Sequence, residues 1–141
     1  MTDFVNFHFD IDGENFTSAG EASVRIKKNL REMGFSPDII RRVSVAMYEG
    51  EINMVIHANG GTADVNIYCD RIEIILADRG PGISNVDLAM QEGYSTAPEN
   101  VRSLGFGAGM GLPNMKRYTD FMTIESEVGA GTTVTLRVNY A

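Results

Sequence analysis

Three polar positions in this sequence stand where the local pattern calls for apolar side chains. In "RIEIILAD", residues 71–78, Ile72, Ile74, Leu76 and Asp78 share one face of the expected strand, because side chains alternate with period two. Asp78 therefore points toward the apolar layer, just before a "GPG" turn. Thr132 shares its face with Val134, Leu136 and Val138, so its hydroxyl also points inward. A buried ionised carboxylate without a partner costs roughly several kcal/mol and is normally paired or bound to something. The plainer alternative is that Asp78 caps the turn that follows it.

The third oddity is a polar strip on a helix. Over the helix expected from Pro37 to about Ala58, Glu49 and Asn53 lie roughly 40° apart on the wheel and one turn apart along the axis. Val45, Ile52 and Ile56 flank them on one side, and Ala46, Gly50 and His57 on the other. A strip in such surroundings marks a site, with a Glu–Asn hydrogen bond inside the helix as the competing reading. Gly50, near the centre of the core side, costs about 1 kcal/mol relative to alanine and predicts close approach by a neighbour. His57 reads as a structural residue on the core side.

"GFGAGMGLPNMK", residues 105–116, adds phosphate chemistry. Gly105, Gly107, Gly109 and Gly111 leave backbone N–H groups bare of side chains before a helix N-terminus, whose unsatisfied donors and dipole favour an anion. The spacing matches neither G-x-x-x-x-G-K-[ST] nor G-x-G-x-x-G, which disfavours a P-loop or a Rossmann dinucleotide site.

The elements that must position these residues follow from periodicity and punctuation. Val5, Phe7, Phe9 and Ile11 alternate with polar residues as in a half-buried strand. A helix is expected from about Ser18 to Met33, ended by Gly34. A second begins at "SPD", with Ser36 as N-cap and Pro37 at the first helical position. Strands at 64–69 and 72–78 are joined through Asp70 and Arg71, and Cys69, alternating with Val65 and Ile67, is expected to be buried and inert. Residues 84–108 read as a long loop of the kind that often serves as a lid. A helix from about Leu112 to Tyr118 and strands at 121–127 and 132–139 complete the chain. The pattern is α+β, a two-layer sandwich with a mostly antiparallel, mixed sheet and helices on one face.

Composition bounds the function. A chain of 141 residues is most simply one domain, 1–141, and its formal charge of −7 argues against a nucleic-acid or anionic-membrane binder. The single cysteine excludes an internal disulfide framework. No signal-peptide pattern and no span of sufficient apolar length is found, so a cytoplasmic location is expected.

Together "EGEIN" (49–53), "DRGPGI" (78–83), "GFGAGMGL" (105–112) and "GAGTT" (129–133) resemble the N, G1 and G2 boxes and terminal strand of the GHKL ATPases, which have the Bergerat fold. The run from Glu92 to Val134 is most similar to the switch serine kinases and anti-sigma-factor kinases of that superfamily. The resemblance implies ATP and Mg²⁺ as cofactors. It implies that Asp78 accepts from the adenine amine with support from Thr132, that Gly80 and Gly82 let the turn pass beneath the base, and that Ile83 packs beside it. It further implies Asn53 as the Mg²⁺ ligand, Glu49 as general base, and Gly105, Gly107, Gly109, Gly111 and Leu112 as a lid over the phosphates. Arg102 in that loop reads as a solvated arginine, with reach to the phosphates on lid closure as the alternative. Gly50, Glu51 and Ile52 are unusual in the middle of the N box, as are the extra lid residues around "APENV".

The function implied is a serine/threonine protein kinase that phosphorylates a small STAS-domain partner in a partner-switching module. The alternative is a nucleotide-dependent module that sequesters a sigma factor or other regulator with little catalysis. A homodimer is compatible with either. A histidine kinase is disfavoured, because no dimerisation helix with a phosphoacceptor histidine is recognised and His8 lies on a strand's polar face.

Overall fold

Alternation of period two builds most of this molecule. The computed structural model describes residues 3–12, 20–57, 60–80 and 111–140. Strands β1 (Val5–Asp12), β2 (Gly60–Ile67), β3 (Arg71–Asp78), β4 (Phe121–Glu127) and β5 (Gly131–Asn139) form one sheet in the order β1-β2-β3-β5-β4. Every pairing among these described strands is antiparallel, where a mostly antiparallel but mixed sheet was expected.

Register turns the alternation into rows across the sheet. Phe7, Val65, Ile74, Leu136 and Met122 form one row of the core face, and Phe9, Ala63, Leu76, Val134 and Ile124 the next. One step further along, Ile11, Gly61, Asp78, Thr132 and Ser126 form the row at the end of that face. Hydrophobic burial thus runs along the face and stops at a polar row.

Among the described residues, three helices cover this face. In α1 (Glu21–Glu32), Ala22, Ile26 and Leu30 are buried at helical spacing. Gly34 ends it as expected: the Gly34 and Phe35 N–H groups donate back to the Arg31 and Leu30 carbonyls at 3.1 Å each, the two bonds of a Schellman cap. Helix α2 (Pro37–His57) starts where Ser36 accepts the Ile39 N–H at 3.3 Å, confirming the predicted cap. It packs over β1, β2, β3 and β5. The short helix α3 (Gly111–Arg117) lies against α2 and β4, with Leu112 and Met115 buried in the core.

One expectation fails here. Cys69 is exposed, because β2 ends at Ile67 and the chain turns through Tyr68–Asp70, closed by the Tyr68 N–H on the Arg71 carbonyl at 2.8 Å. Alternation carries no information once the strand has stopped. No helix among the described residues is long and apolar enough to cross a membrane.

Candidate functional site

The polar row at the end of the sheet is built around Asp78. Its Oδ1 accepts the Gly80 N–H at 2.9 Å and the Thr132 N–H at 3.1 Å. Its Oδ2 accepts no hydrogen bond from another described residue. The turn-capping reading of Asp78 therefore holds for one oxygen, and the other keeps its lone pairs clear of the described residues. The close approach of β5 that makes this possible needs glycine. At Gly131, with φ +126°, a Cβ would lie 2.2 Å from the Asp78 carbonyl oxygen.

Thr132 supports Asp78 through its backbone N–H. Its side chain is buried, as expected, and its hydroxyl lies 2.8 Å from the Ser126 Oγ. Ser126 was not singled out from the sequence; its partner is six residues away across a turn.

Helix α2 brings the N-box residues to the same end of the sheet. A Cβ on Gly50 would fall 2.3 Å from Leu76 Cδ1, so the predicted close neighbour is the strand that ends in Asp78. One turn later Met54 lies over Gly61, where a Cβ would be 2.9 Å from its sulfur. Glu49 and Asn53 ride on this contact. No hydrogen bond joins them; Glu49 Oε1 instead accepts the Asn114 Nδ2 at 3.2 Å. The within-helix reading is thereby removed. Asn53 is half-buried between Ile52 and Met54, and its side chain bonds to no other described residue.

Asn114 is placed by its helix. Arg42 of α2 donates to the Tyr118 carbonyl at 3.1 Å and to Asp120 at 2.9 Å, tying the end of α3 to α2. The Asn139 N–H and then Arg42 hold the Asp120 carboxyl below its usual range. A polar residue in the short stretch after the glycines was the signal for Asn114 that the motif reading passed over.

Glu51 was also underread. It is 2% exposed, and its carboxylate takes the N–H groups of Gly20 (3.0 Å), Ala22 (3.2 Å) and Ser23 (2.6 Å). Helix α1 has no side-chain cap of its own, so Glu51 caps it from α2. Burial raises its pKa, and the three N–H groups oppose that shift. The unusual middle of the N box is therefore a structural tie, facing away from Glu49.

Gly80 lies in the described turn, and Gly111 opens α3. Gly82, Ile83, Gly105, Gly107 and Gly109, with Arg102 and the loop at 84–108, lie outside the described residues. Among the described residues no group of three or more His, Cys, Asp or Glu could hold a metal ion. A single amide oxygen such as that of Asn53 suits a cation that keeps water and phosphate ligands, as Mg²⁺ does.

Known proteins bear on this geometry. Residues 40–141 match the family described as "Histidine kinase-, DNA gyrase B-, and HSP90-like ATPase". The chain is 32% identical over 118 residues to the serine/threonine-protein kinase RsbT of Bacillus subtilis, covering 80% of this chain and 83% of that one. It is 29% identical over 125 residues to an anti-sigma F factor of Clostridium beijerinckii, covering 84% of each. The fold superposes on the crystal structure of the RsbU and RsbW domains of Rv1364c from Mycobacterium tuberculosis with a TM-score of 0.64 and 17% identity, covering 95% of this chain and 31% of that longer one. Motifs, polar row and comparisons agree: the chain belongs to the histidine kinase-, DNA gyrase B- and HSP90-like ATPase family.

Proposed function

We propose that this protein binds ATP with Mg²⁺ and transfers the γ-phosphoryl group to a serine or threonine of a small STAS-domain partner. The observation that carries the nucleotide site is the divided use of Asp78: Oδ1 is filled by two backbone donors, and Oδ2 is left to accept from the adenine amine. The likeness to a serine/threonine kinase and to anti-sigma factors supports the choice of reaction.

In that reaction the partner's hydroxyl oxygen forms a bond to the γ-phosphorus, and its proton passes to the Glu49 carboxylate. The bond from the γ-phosphorus to the bridging oxygen breaks, and its electron pair leaves with ADP. Asn114 orients Glu49 through the 3.2 Å hydrogen bond. Asn53 would hold Mg²⁺, which neutralises phosphate charge when bound. The glycines at 105–111 would cover the phosphates, and a sigma factor or similar regulator would be the protein released or held by the partner switch.

Transfer of label from γ-labelled ATP to the STAS-domain protein encoded nearest this one tests the proposal. Labelling by the wild-type chain and none by Glu49→Ala is the expected result. Tight, nucleotide-dependent binding of the partner with no label would favour the sequestering alternative.

A further inference from the structure

Strand β1 is an edge of the sheet, since among the described strands it pairs only with β2. Its register with β2 runs unbroken from Val5 to Asp12, with no bulge and no proline. Such an edge presents a row of backbone N–H and C=O groups without ladder partners, a template for another extended chain. Its core side is also incompletely covered. Phe7 and Phe9 are half-buried, whereas Val65 and Ala63 beside them on β2 are fully buried. A cavity of about 340 Å³ lies there, lined by Phe7–Phe9 and by Arg25, Lys28, Asn29 and Glu32 of α1. These four recur at helical spacing, so they form one stripe of α1 next to its buried residues.

The charge of this flank is opposite to that of the chain. Four of the 12 lysines and arginines fall within residues 25–31, although the formal charge is −7. Arg25 and Lys28, the two that line the cavity, are exposed and form no ion pair with another described residue. Glu32 ends the basic stretch one turn after Lys28. When a strand is added to an edge, main-chain bonds give affinity and alternate side chains give specificity. Alternate residues of a strand lie about 7 Å apart, and Arg25 and Lys28 about 4.5 Å apart along the helix, a difference that their long side chains span. A glutamate facing α1 lays its methylenes on Phe7 or Phe9 and brings its carboxylate to Arg25 or Lys28.

We propose that the β1 edge and the Arg25–Lys28 flank of α1 dock an extended acidic segment of a partner protein, which adds a strand beside β1. This surface stands apart from the polar row, which reaches β1 only at Ile11, and it needs no nucleotide.

Fluorescence anisotropy with labelled heptapeptides, alternating valine with glutamate or valine with lysine, tests this at low salt, where exposed charges are weakly screened. The chain should bind the glutamate peptide about tenfold more tightly than the lysine peptide, because two charge pairs replace two repulsions. Arg25→Glu combined with Lys28→Glu, both at exposed positions, should reverse that preference. Methylation of one set of alternate peptide nitrogens should abolish binding, methylation of the other set should not, and amide exchange at residues 5–11 should slow when the unmethylated peptide is added. Equal affinity for the two peptides overturns the acidic partner. Binding unaffected by methylation of either set overturns strand addition. No binding of either peptide up to about 1 mM overturns the surface itself. Dimers in sedimentation velocity that exclude the glutamate peptide would make a second copy the occupant and overturn the partner segment.

Discussion

Glu49 and Glu51 stand two residues apart on α2 and face opposite ways. Glu51 is buried and holds three backbone N–H groups; Glu49 is half-buried and holds one side-chain amide. Burial alone would nominate Glu51 as the functional carboxylate. Hydrogen-bond capacity points the other way, because a saturated carboxylate has nothing left for a substrate, and one with open lone pairs does. Asp78 makes the same point within one side chain, since one oxygen is filled by backbone donors and the other is not.

The sharpest way to break this contrast is to remove each glutamate. Glu49→Ala should lower phosphotransfer by about 10²–10⁴-fold, the usual worth of a general base, with ATP affinity nearly unchanged. A wild-type rate would make Glu49 structural. Glu51→Ala should act on stability instead. Loss of the acceptor leaves the α1 N-terminus unsatisfied, at about 3 kcal/mol in urea unfolding. An unchanged midpoint would show that Glu51 does not tie α1 to α2.

A smaller effect is expected at the contact that carries the strip to the sheet. Gly50→Ala adds a Cβ 2.3 Å from Leu76 Cδ1, which must move. Overpacking of about 1–3 kcal/mol against about 1 kcal/mol of helix propensity leaves a net loss of about 1 kcal/mol. A stabilised variant would mean that Leu76 yields freely and that Gly50 does not set the approach.

The smallest effect lies on the opposite, exposed face of the sheet. His8 is 2.7 Å from Asp64 and 3.3 Å from Asp10, and these bonds, Asp64 first, raise its pKa above the ordinary 6.5. A raised histidine stabilises the fold fully below its unfolded pKa and loses that contribution as pH rises through the folded value. The stability difference between wild type and His8→Gln should therefore be larger near about pH 6 than near about pH 8.5. A difference that does not change with pH would contradict the pairing.

Much of this was legible in the sequence because the signals were local. Ser36, Gly34 and Pro37 punctuate the helices through their immediate neighbours, and period two placed Asp78 and Thr132 on the core face. Helical period grouped Glu49 and Asn53 as one strip and placed Gly50 at the close approach to Leu76. What was missed depends on distant partners: Glu51 answers to residues 28–31 positions away, and Asn114 meets Glu49 across 65. Glu51 did carry a signal, since it falls one turn after the buried Met47 on the apolar stripe. Cys69 was misread because the strand ended two residues sooner than its alternation suggested.

The central claim is that the open oxygen of Asp78 receives the adenine of ATP, and calorimetry with Asp78→Asn tests it most directly. The asparagine oxygen can keep the Gly80 and Thr132 N–H groups, so the fold should survive, while an N–H₂ group stands where an acceptor is required. The lost charge-assisted bond, about 1.5–3 kcal/mol, predicts at least a tenfold loss of ATP affinity, with further loss from donor facing donor. Unchanged affinity in a folded Asp78→Asn protein would contradict the account.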